Sequence, residues 1–289
     1  MRAFFFGLGY SSTAAARLLQ NDAPAASLSG TVRTPEKAER MTAAGISAHV
    51  FDGTALGGTL GPDLRQSSHV ILSIAPGEDG DPALVHHRAD LDAAENLEWL
   101  CYYSTVGVYG DFGGAWIDES APLVPRNDRS DRRVLAEQAW RDYAKERGVK
   151  LAILRLAGIY GPGRSTFDKL ADGTARRVNK PGQVFNRIHV QDIARVTMLA
   201  AEARLEGTFN LADDEPAPPQ DLVTYAAGLM GVEPPPEIAF EQAQFTPMQR
   251  SFYTDNKRVS NAAIKQALDI ELLHPNYRES LTAIWETMK

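Results

Sequence analysis

Glycines, hydroxyls and basic side chains are grouped in this chain where a phosphate-rich ligand could use them. Gly7-Leu-Gly9-Tyr-Ser-Ser12 follows the apolar run of residues 3–6 and precedes a helical pattern with small residues. A strand, a glycine turn and a helix in that order can receive a pyrophosphate. Gly7 permits the tight turn, Gly9 lets a phosphate approach the backbone, and free N–H groups at the helix start hold it. Ser12 stands where a third small residue is needed for close helix–strand packing. A second strand, residues 26–33, ends in Arg33, with Thr34 and Lys37 nearby. Thr34 is a fit N-cap for the helix that Pro35 opens. An acidic residue at this strand end would accept hydrogen bonds from the 2′-hydroxyl of NAD, whereas the guanidinium of Arg33 matches the 2′-phosphate of NADP. The expected cofactor is therefore NADP, with NAD possible.

These groups need a scaffold, and the chain supplies an alternation of short apolar strands and helical stretches. The third strand spans residues 45–52 and ends in Asp52, a plausible neighbour of an adenine. The fourth, residues 68–74, runs into Ala75-Pro76-Gly77. That loop of small residues would lie along a cofactor, because open α/β sheets hold ligands at the carboxyl edge of their strands. A helix over residues 82–96, a strand over 98–104 and a helix over 130–147 continue the pattern. The fold expected is α/β, a doubly wound parallel sheet.

Composition narrows the partners. The chain has 289 residues, 44% hydrophobic and 23% charged, as in ordinary globular proteins. A formal net charge of −7 with no basic stripe argues against nucleic acid. The single Cys101 excludes an internal disulfide, and no Cys/His cluster has metal spacing. His86 and His87 are adjacent, so on a helix their rings diverge by about 100°. No apolar stretch reaches the ~18 residues of a membrane span, and the N-terminus lacks a signal-peptide pattern. The expectation is a soluble, cytoplasmic protein with a small-molecule substrate and no membrane partner.

Five segments in order carry a family resemblance. They are Gly7-x-Gly9, Ser104-Thr105-Val-Gly-Val-Tyr-Gly110, Leu154-Arg155-Leu-Ala-Gly-Ile-Tyr-Gly-Pro-Gly163, Arg187-Ile-His-Val-Gln-Asp-Ile-Ala194 and Gly207-Thr-Phe-Asn-Leu211. Together they resemble the extended short-chain dehydrogenase/reductase superfamily, the NAD-dependent epimerase/dehydratase group. The resemblance spans nearly the whole chain. It implies a Rossmann-type domain over residues 1–165, to which the chain returns around 186–212, and a small C-terminal α+β substrate lobe over 213–289. It implies Ile159 as a cofactor neighbour, and Tyr160, Arg187 and His189 beside the substrate. A homodimer is also implied, paired through helices that flank the sheet.

The same family carries out its redox step with a Ser/Thr, a Tyr and a Lys four residues after the Tyr. Thr105 holds the first position. Glu137 matches a glutamate that often follows the Lys by four residues, which puts Arg133 at the Lys position and Arg129 at the Tyr position. Arg133 can supply positive charge and bind ribose hydroxyls. Arg129 cannot replace the tyrosine, because a guanidinium with a pKa above about 12 exchanges no proton near neutrality. Tyr109 and Tyr160, in glycine-flanked loops, are candidates for a displaced acid or for packing at the pocket mouth. Tyr253-Thr-Asp-Asn-Lys257 has the family spacing but lies in the C-terminal lobe. Arg129 and Arg133 share a helix face, either as part of a mixed-charge helix start with Asp128 and Asp131 or around a bound anion. The function expected is an NADP(H)-dependent oxidoreductase or epimerase-type enzyme acting on a small polar, anionic carbonyl or hydroxyl compound. The alternative is a catalytically silent NADP(H)-binding sensor.

Overall fold

Apolar runs followed by glycine or capped turns build the chain from its first residues. The structure is a computed structural model that describes residues 1–289. The first half contains β1 (Arg2–Phe6), α1 (Tyr10–Asp22), β2 (Ser27–Val32), α2 (Pro35–Ala43), β3 (Ser47–Val50), α3 (Gly61–Arg65), β4 (His69–Leu72), α4 (Pro82–Asp92), β5 (Trp99–Thr105) and β6 (Trp116–Ile117). Then come α5 (Asp128–Arg147), β7 (Lys150–Leu156), β8 (Gly158–Tyr160), α6 (Thr166–Ala171), β9 (Arg177–Asn179), β10 (Arg187–His189), α7 (Val190–Ala203) and β11 (Gly207–Leu211). The last part holds α8 (Pro219–Met230), β12 (Glu237–Ala239), α9 (Pro247–Ser251), β13 (Arg258–Val259), α10 (Ala262–Leu268) and α11 (Tyr277–Met288).

Seven strands form one sheet in the order β11-β7-β5-β4-β1-β2-β3. β1 pairs in parallel with β2 on one side and β4 on the other. The strand order therefore reverses between β1 and β4, the Rossmann-type switch point where such sheets open a crevice at their carboxyl ends. The expected doubly wound α/β fold is the observed one. β2, β3 and β4 are two to four residues shorter than the runs expected over 26–33, 45–52 and 68–74, because the flanking residues leave the ladder for the turns, whereas β1 starts one residue before its expected run and β5 is displaced by one. The helix expected over 130–147 starts two residues earlier, since the Asn127 side chain accepts from the Ser130 amide at 3.0 Å and caps the helix there. The helix expected over 82–96 ends at Asp92, where Ala93 takes over the cap.

The chain divides into two units. The first comprises Met1–Val108, Asn127–Arg155 and Ile193–Phe209. Its core is apolar and aromatic, with Phe4, Phe6, Leu72, Leu100, Tyr102 and Trp140 almost wholly buried. One buried ion pair ties its helix layer to its sheet. The Glu137 carboxylate of α5 accepts from Arg155 Nη2 at 2.7 Å and Nε at 3.0 Å, and from Ser104 Oγ at 2.6 Å. Arg141 Nη2 adds a fourth contact at 3.3 Å. Every charge in this knot has a partner, which is the condition under which a buried pair is tolerated.

The second unit gathers Tyr109–Arg126, Leu156–Asp192 and Asn210–Lys289. It is built from two-stranded parallel pairs, β10 with β8, β12 with β9 and β13 with β6. Tyr160, Phe167, Leu222, Tyr277 and Leu281 form a core in which α8 and α11 pack. Gly110 is required here: at φ +71° a Cβ would come 2.0 Å from the Val124 carbonyl oxygen.

Removing the Glu137 carboxylate takes from the buried Arg155 guanidinium the charge that it pairs with. Glu137→Ala should lower the unfolding free energy by about 3–5 kcal/mol. Denaturant titration of the two proteins checks this, and a loss below about 1 kcal/mol would mean the knot is not what joins α5 to β5 and β7.

Candidate cofactor and substrate sites

At the end of β1, two neighbouring strands clamp the glycine turn. The Gly7 amide donates to Thr31 Oγ1 at 2.8 Å, and Ser73 Oγ donates to the Gly7 carbonyl at 2.7 Å. Gly7 has φ +92°, and a Cβ on it would lie 2.9 Å from Ser73 Oγ, so the fold itself demands glycine there. Gly9 differs. It is exposed, its backbone is extended at φ −79°, and a Cβ would meet nothing within 4 Å. Nothing in the protein explains the missing side chain, whereas a phosphate lying over the turn does. Gly9 is also the N-cap of α1, with no side-chain cap and no acidic residue in the first turn. The helix thus presents uncapped N–H groups and the positive end of its dipole. Ser12 is buried, and its hydroxyl has no hydrogen-bond partner.

Basic groups gather beside this turn. Arg33 is exposed directly after β2. Thr34 caps α2, accepting from the Lys37 amide at 3.4 Å. The Lys37 ammonium reaches back across the turn to donate to the Leu8 carbonyl at 2.6 Å. Partial burial lowers its pKa, and the charges of Arg40 and Arg33 lower it further. Repulsion among three cations is relieved when a dianion sits among them. One acidic group, Glu36, lies next to them, its side chain drawn to the Thr34 hydroxyl. Asp52 turns inward on its own loop, accepting from the Thr54 amide at 2.9 Å and hydroxyl at 2.7 Å. Beyond β4, Ala75 is exposed and Pro76 buried.

The residues at the triad positions also lie in the first unit. Thr105, half-buried at the end of β5, accepts from the Gly107 amide at 3.1 Å. A Cβ on Gly107 would lie 3.3 Å from Thr105 Oγ1 and 3.2 Å from Ser130 Oγ, so the Ser130 hydroxyl faces the same spot. Arg133 is folded onto β5. Its Nη1 donates to the Tyr103 carbonyl at 2.6 Å and to the Tyr102 hydroxyl at 3.1 Å. Arg129, one turn earlier, is exposed. Of the two guanidinium groups of this face, that of Arg133 is held against β5.

In the second unit stand Tyr109, Ile159, Tyr160, Arg187 and His189. The Tyr109 hydroxyl donates to Asn210 Oδ1 at 2.8 Å and the Tyr160 hydroxyl to Ser280 Oγ at 2.6 Å, both buried. Burial pushes the Tyr160 phenol well above its ordinary pKa. Each hydroxyl would have to break an internal bond to give its proton elsewhere. Ile159 is half-buried in β8, and Tyr160 pairs with His189 across the β8–β10 ladder. Arg187 Nη1 donates to the carbonyls of Phe185 at 2.9 Å and Ala217 at 3.0 Å. Tyr253 and Lys257 lie beyond the end of α9 rather than on one helix, and the Lys257 ammonium donates to the Gly110 carbonyl at 2.6 Å. A cavity of about 460 Å³ beside Arg141, Lys145 and Lys150 lies at the amino ends of β7 and β11, on the sheet edge opposite the glycine turn.

Sequence reasoning missed Thr31, Ser73, Ser130 and Asp213. The first two are hydroxyls inside or next to apolar strands, where pattern gives no sign of a partner. Ser130 is hidden by its place between arginines and aspartates. Asp213 follows the Gly207–Leu211 segment, and its adjacency to Asp214 and Glu215 reads as a solvated acidic loop.

A switch-point crevice with a clamped glycine turn and an open helix N-terminus is the form of a Rossmann-type α/β fold. The model of the NAD dependent epimerase/dehydratase family matches residues 87–212. The chain is 41% identical to a conserved protein of unknown function from Silicibacter pomeroyi DSS, with a TM-score of 0.89 over 100% of this chain and 99% of that one. It is 32% identical over 164 residues to Protein YeeZ of Escherichia coli (strain K12), 55% of this chain and 56% of that protein. A 3-diazoavenalumate denitrifying reductase of a Streptomyces species is 28% identical over 142 residues, 45% of each chain. The chain spans about half the length of the curated relatives it matches. No helix is long and apolar enough to cross a membrane.

The empty space at Gly9 separates ligand from fold. Gly9→Ala should change stability by less than about 1 kcal/mol, as expected for a helix N-cap. It should weaken dinucleotide binding about tenfold or more by taking the space of a phosphate. Thermal unfolding and calorimetric titration of the same preparations read both effects.

Proposed function

We propose that the protein binds NADP(H) at the β1–α1 turn and acts as an oxidoreductase or epimerase-type enzyme on a small polar carbonyl or hydroxyl compound. The observation that carries this reading is the exposed, unencumbered Gly9 beside Arg33, Lys37 and Arg40. The α1 N-terminus and the Gly7–Gly9 backbone would hold the pyrophosphate, and Arg33 with Lys37 the 2′-phosphate. Ala75 and Pro76 would border the cofactor. When bound, the nicotinamide supplies or accepts a hydride. Arg133, fixed on β5, contributes positive charge and ribose-binding donors. Thr105 and Ser130 offer hydroxyls at one spot, and Tyr160, Arg187 and His189 would contact substrate.

A second reading, a cofactor-binding protein without turnover, is favoured by one observation. Neither Arg129 nor Arg133 can pass a proton near neutrality, and the Tyr109 and Tyr160 hydroxyls are spent on Asn210 and Ser280. Assays of NADPH oxidation against a carbonyl panel across pH, with Tyr109→Phe and Tyr160→Phe alongside, separate the two. Turnover lost in one variant identifies the acid. Tight NADPH binding with no turnover in any protein selects the silent reading.

Calorimetric titration with both cofactors should show NADPH bound more tightly than NADH. Arg33→Ala should weaken NADPH by about 1.5–3 kcal/mol and leave NADH nearly unchanged. Equal wild-type affinities would refute the phosphate site. We also propose a homodimer paired through α5, on which Leu135 lies 70% exposed. Sedimentation at micromolar concentration should give twice the chain mass, and a monomer would contradict it.

A further inference from the structure

Within the second unit, one polar cluster is left with unmet hydrogen bonds. Arg187 and His189 are two apart on β10 and so project to one face of it. Tyr160 lies beside them, its ring 5.4 Å from that of His189 in an edge-to-face contact. Asp213 joins through the backbone, its amide donating to the Arg187 carbonyl at 2.6 Å. Its side chain is 1% exposed, and neither carboxyl oxygen has a hydrogen-bond partner. The Glu215 amide approaches without closing a bond. His189 is also 1% exposed. Its Nδ1 accepts from the Gln191 amide at 3.3 Å, and its Nε2 has no partner.

Protonation states follow from this burial. His189 is held neutral, its pKa lowered to about 3 by burial and by the His274 ring, 3.6 Å away between centroids. With Nδ1 accepting, the single ring proton sits on Nε2, an orphan donor. Asp213 is raised to about 8, because burial outweighs the opposing charge of Arg187. Asp214 and Glu215 raise it further, and Tyr160 is the phenol that senses its charge. Near neutrality the carboxyl therefore carries a proton and is a donor as well. Two orphan donors and one guanidinium, gathered at β10 and the Asp213 backbone bonded to it, make a receptor that lacks only an acceptor. A carboxylate is such an acceptor, planar and able to take several N–H and O–H bonds at once.

We propose that Arg187, His189 and Asp213 form the anchor for a carboxylate group of the substrate, with Asp213 as the residue that sets specificity. This rests on the reading of Tyr160, Arg187 and His189 as substrate-side residues. It concerns the second unit alone, so it can fail while the cofactor reading stands. When Asp213 ionises, the site loses a donor and gains a negative charge, and the anion leaves. Carboxylate affinity must therefore fall as pH rises through about 8. A ligand that only donates hydrogen bonds, such as an alkylammonium ion, would show the opposite slope.

The test uses the full chain without cofactor, titrated with pyruvate and with its neutral amide, pyruvamide, by saturation-transfer NMR. Pyruvate should bind roughly tenfold more tightly than pyruvamide at about pH 6.5. Its affinity should fall about tenfold or more between about pH 6.5 and about pH 9.5. Asp213→Asn keeps one donor and one acceptor but cannot ionise, so it should retain binding and lose the pH dependence. His189→Phe keeps the ring and removes the Nε2 donor, and should weaken pyruvate about five- to tenfold. Equal affinity for acid and amide, a slope that persists in Asp213→Asn, a rise in affinity with pH, or no pyruvate binding would each overturn the proposal. Should Asp213→Asn fail to fold, the wild-type slope and the acid-to-amide ratio still decide it.

Discussion

The first unit of this protein depends on a single steric constraint, the absence of a side chain at Gly7. Thr31 from β2 and Ser73 after β4 reach the turn from opposite sides, and at φ +92° a Cβ would run into Ser73 and Ile74. That clamp fixes where β1 stops and where α1 begins. It also fixes the direction in which the helix presents its uncapped N–H groups. The second glycine answers to a different demand. A Cβ on Gly9 would touch nothing, so the fold does not require the lack of a side chain there. One motif thus holds a glycine that the fold requires and, two residues on, one with open space where its side chain would be.

The position of α5 is set in a similar way by Glu137. Its buried carboxylate binds Arg155 and Ser104, and that anchoring leaves Arg133 one turn nearer the N-terminus to lie on Tyr102 and Tyr103. A guanidinium held on the strand by two hydrogen bonds keeps its charge but has no proton to exchange. Chemistry that needs an acid must find it outside these positions, and this is the central tension between the fold and the site.

Much of this was legible in the sequence because it depends on short-range pattern. The apolar run before Gly7, the Thr34-Pro35 cap and the ordered motifs made the parallel sheet legible. The helix carrying Arg129 and Arg133 was also legible, apart from its start at the Asn127 cap. What remained hidden depends on distance in the chain. Ser73 is 66 residues from the carbonyl of Gly7 to which it donates. Lys37 was visible as a nearby base, yet nothing in its spacing announces a bond to Leu8. Asp213 reads as one of three consecutive acids, and only packing shows it to be buried with two unmatched oxygens while its neighbours face outward. The engagement of Tyr109 and Tyr160 by Asn210 and Ser280 is likewise a tertiary fact.

The most direct test of the account is a competition for the glycine turn. Wild-type protein is dialysed to equilibrium against equal, limiting concentrations of NADPH and NADH, and the retained nucleotide is identified after denaturation. The account predicts that NADPH is retained in about tenfold excess or more, as a charge-assisted phosphate contact requires. Equal retention of the two, or retention of neither, would contradict it.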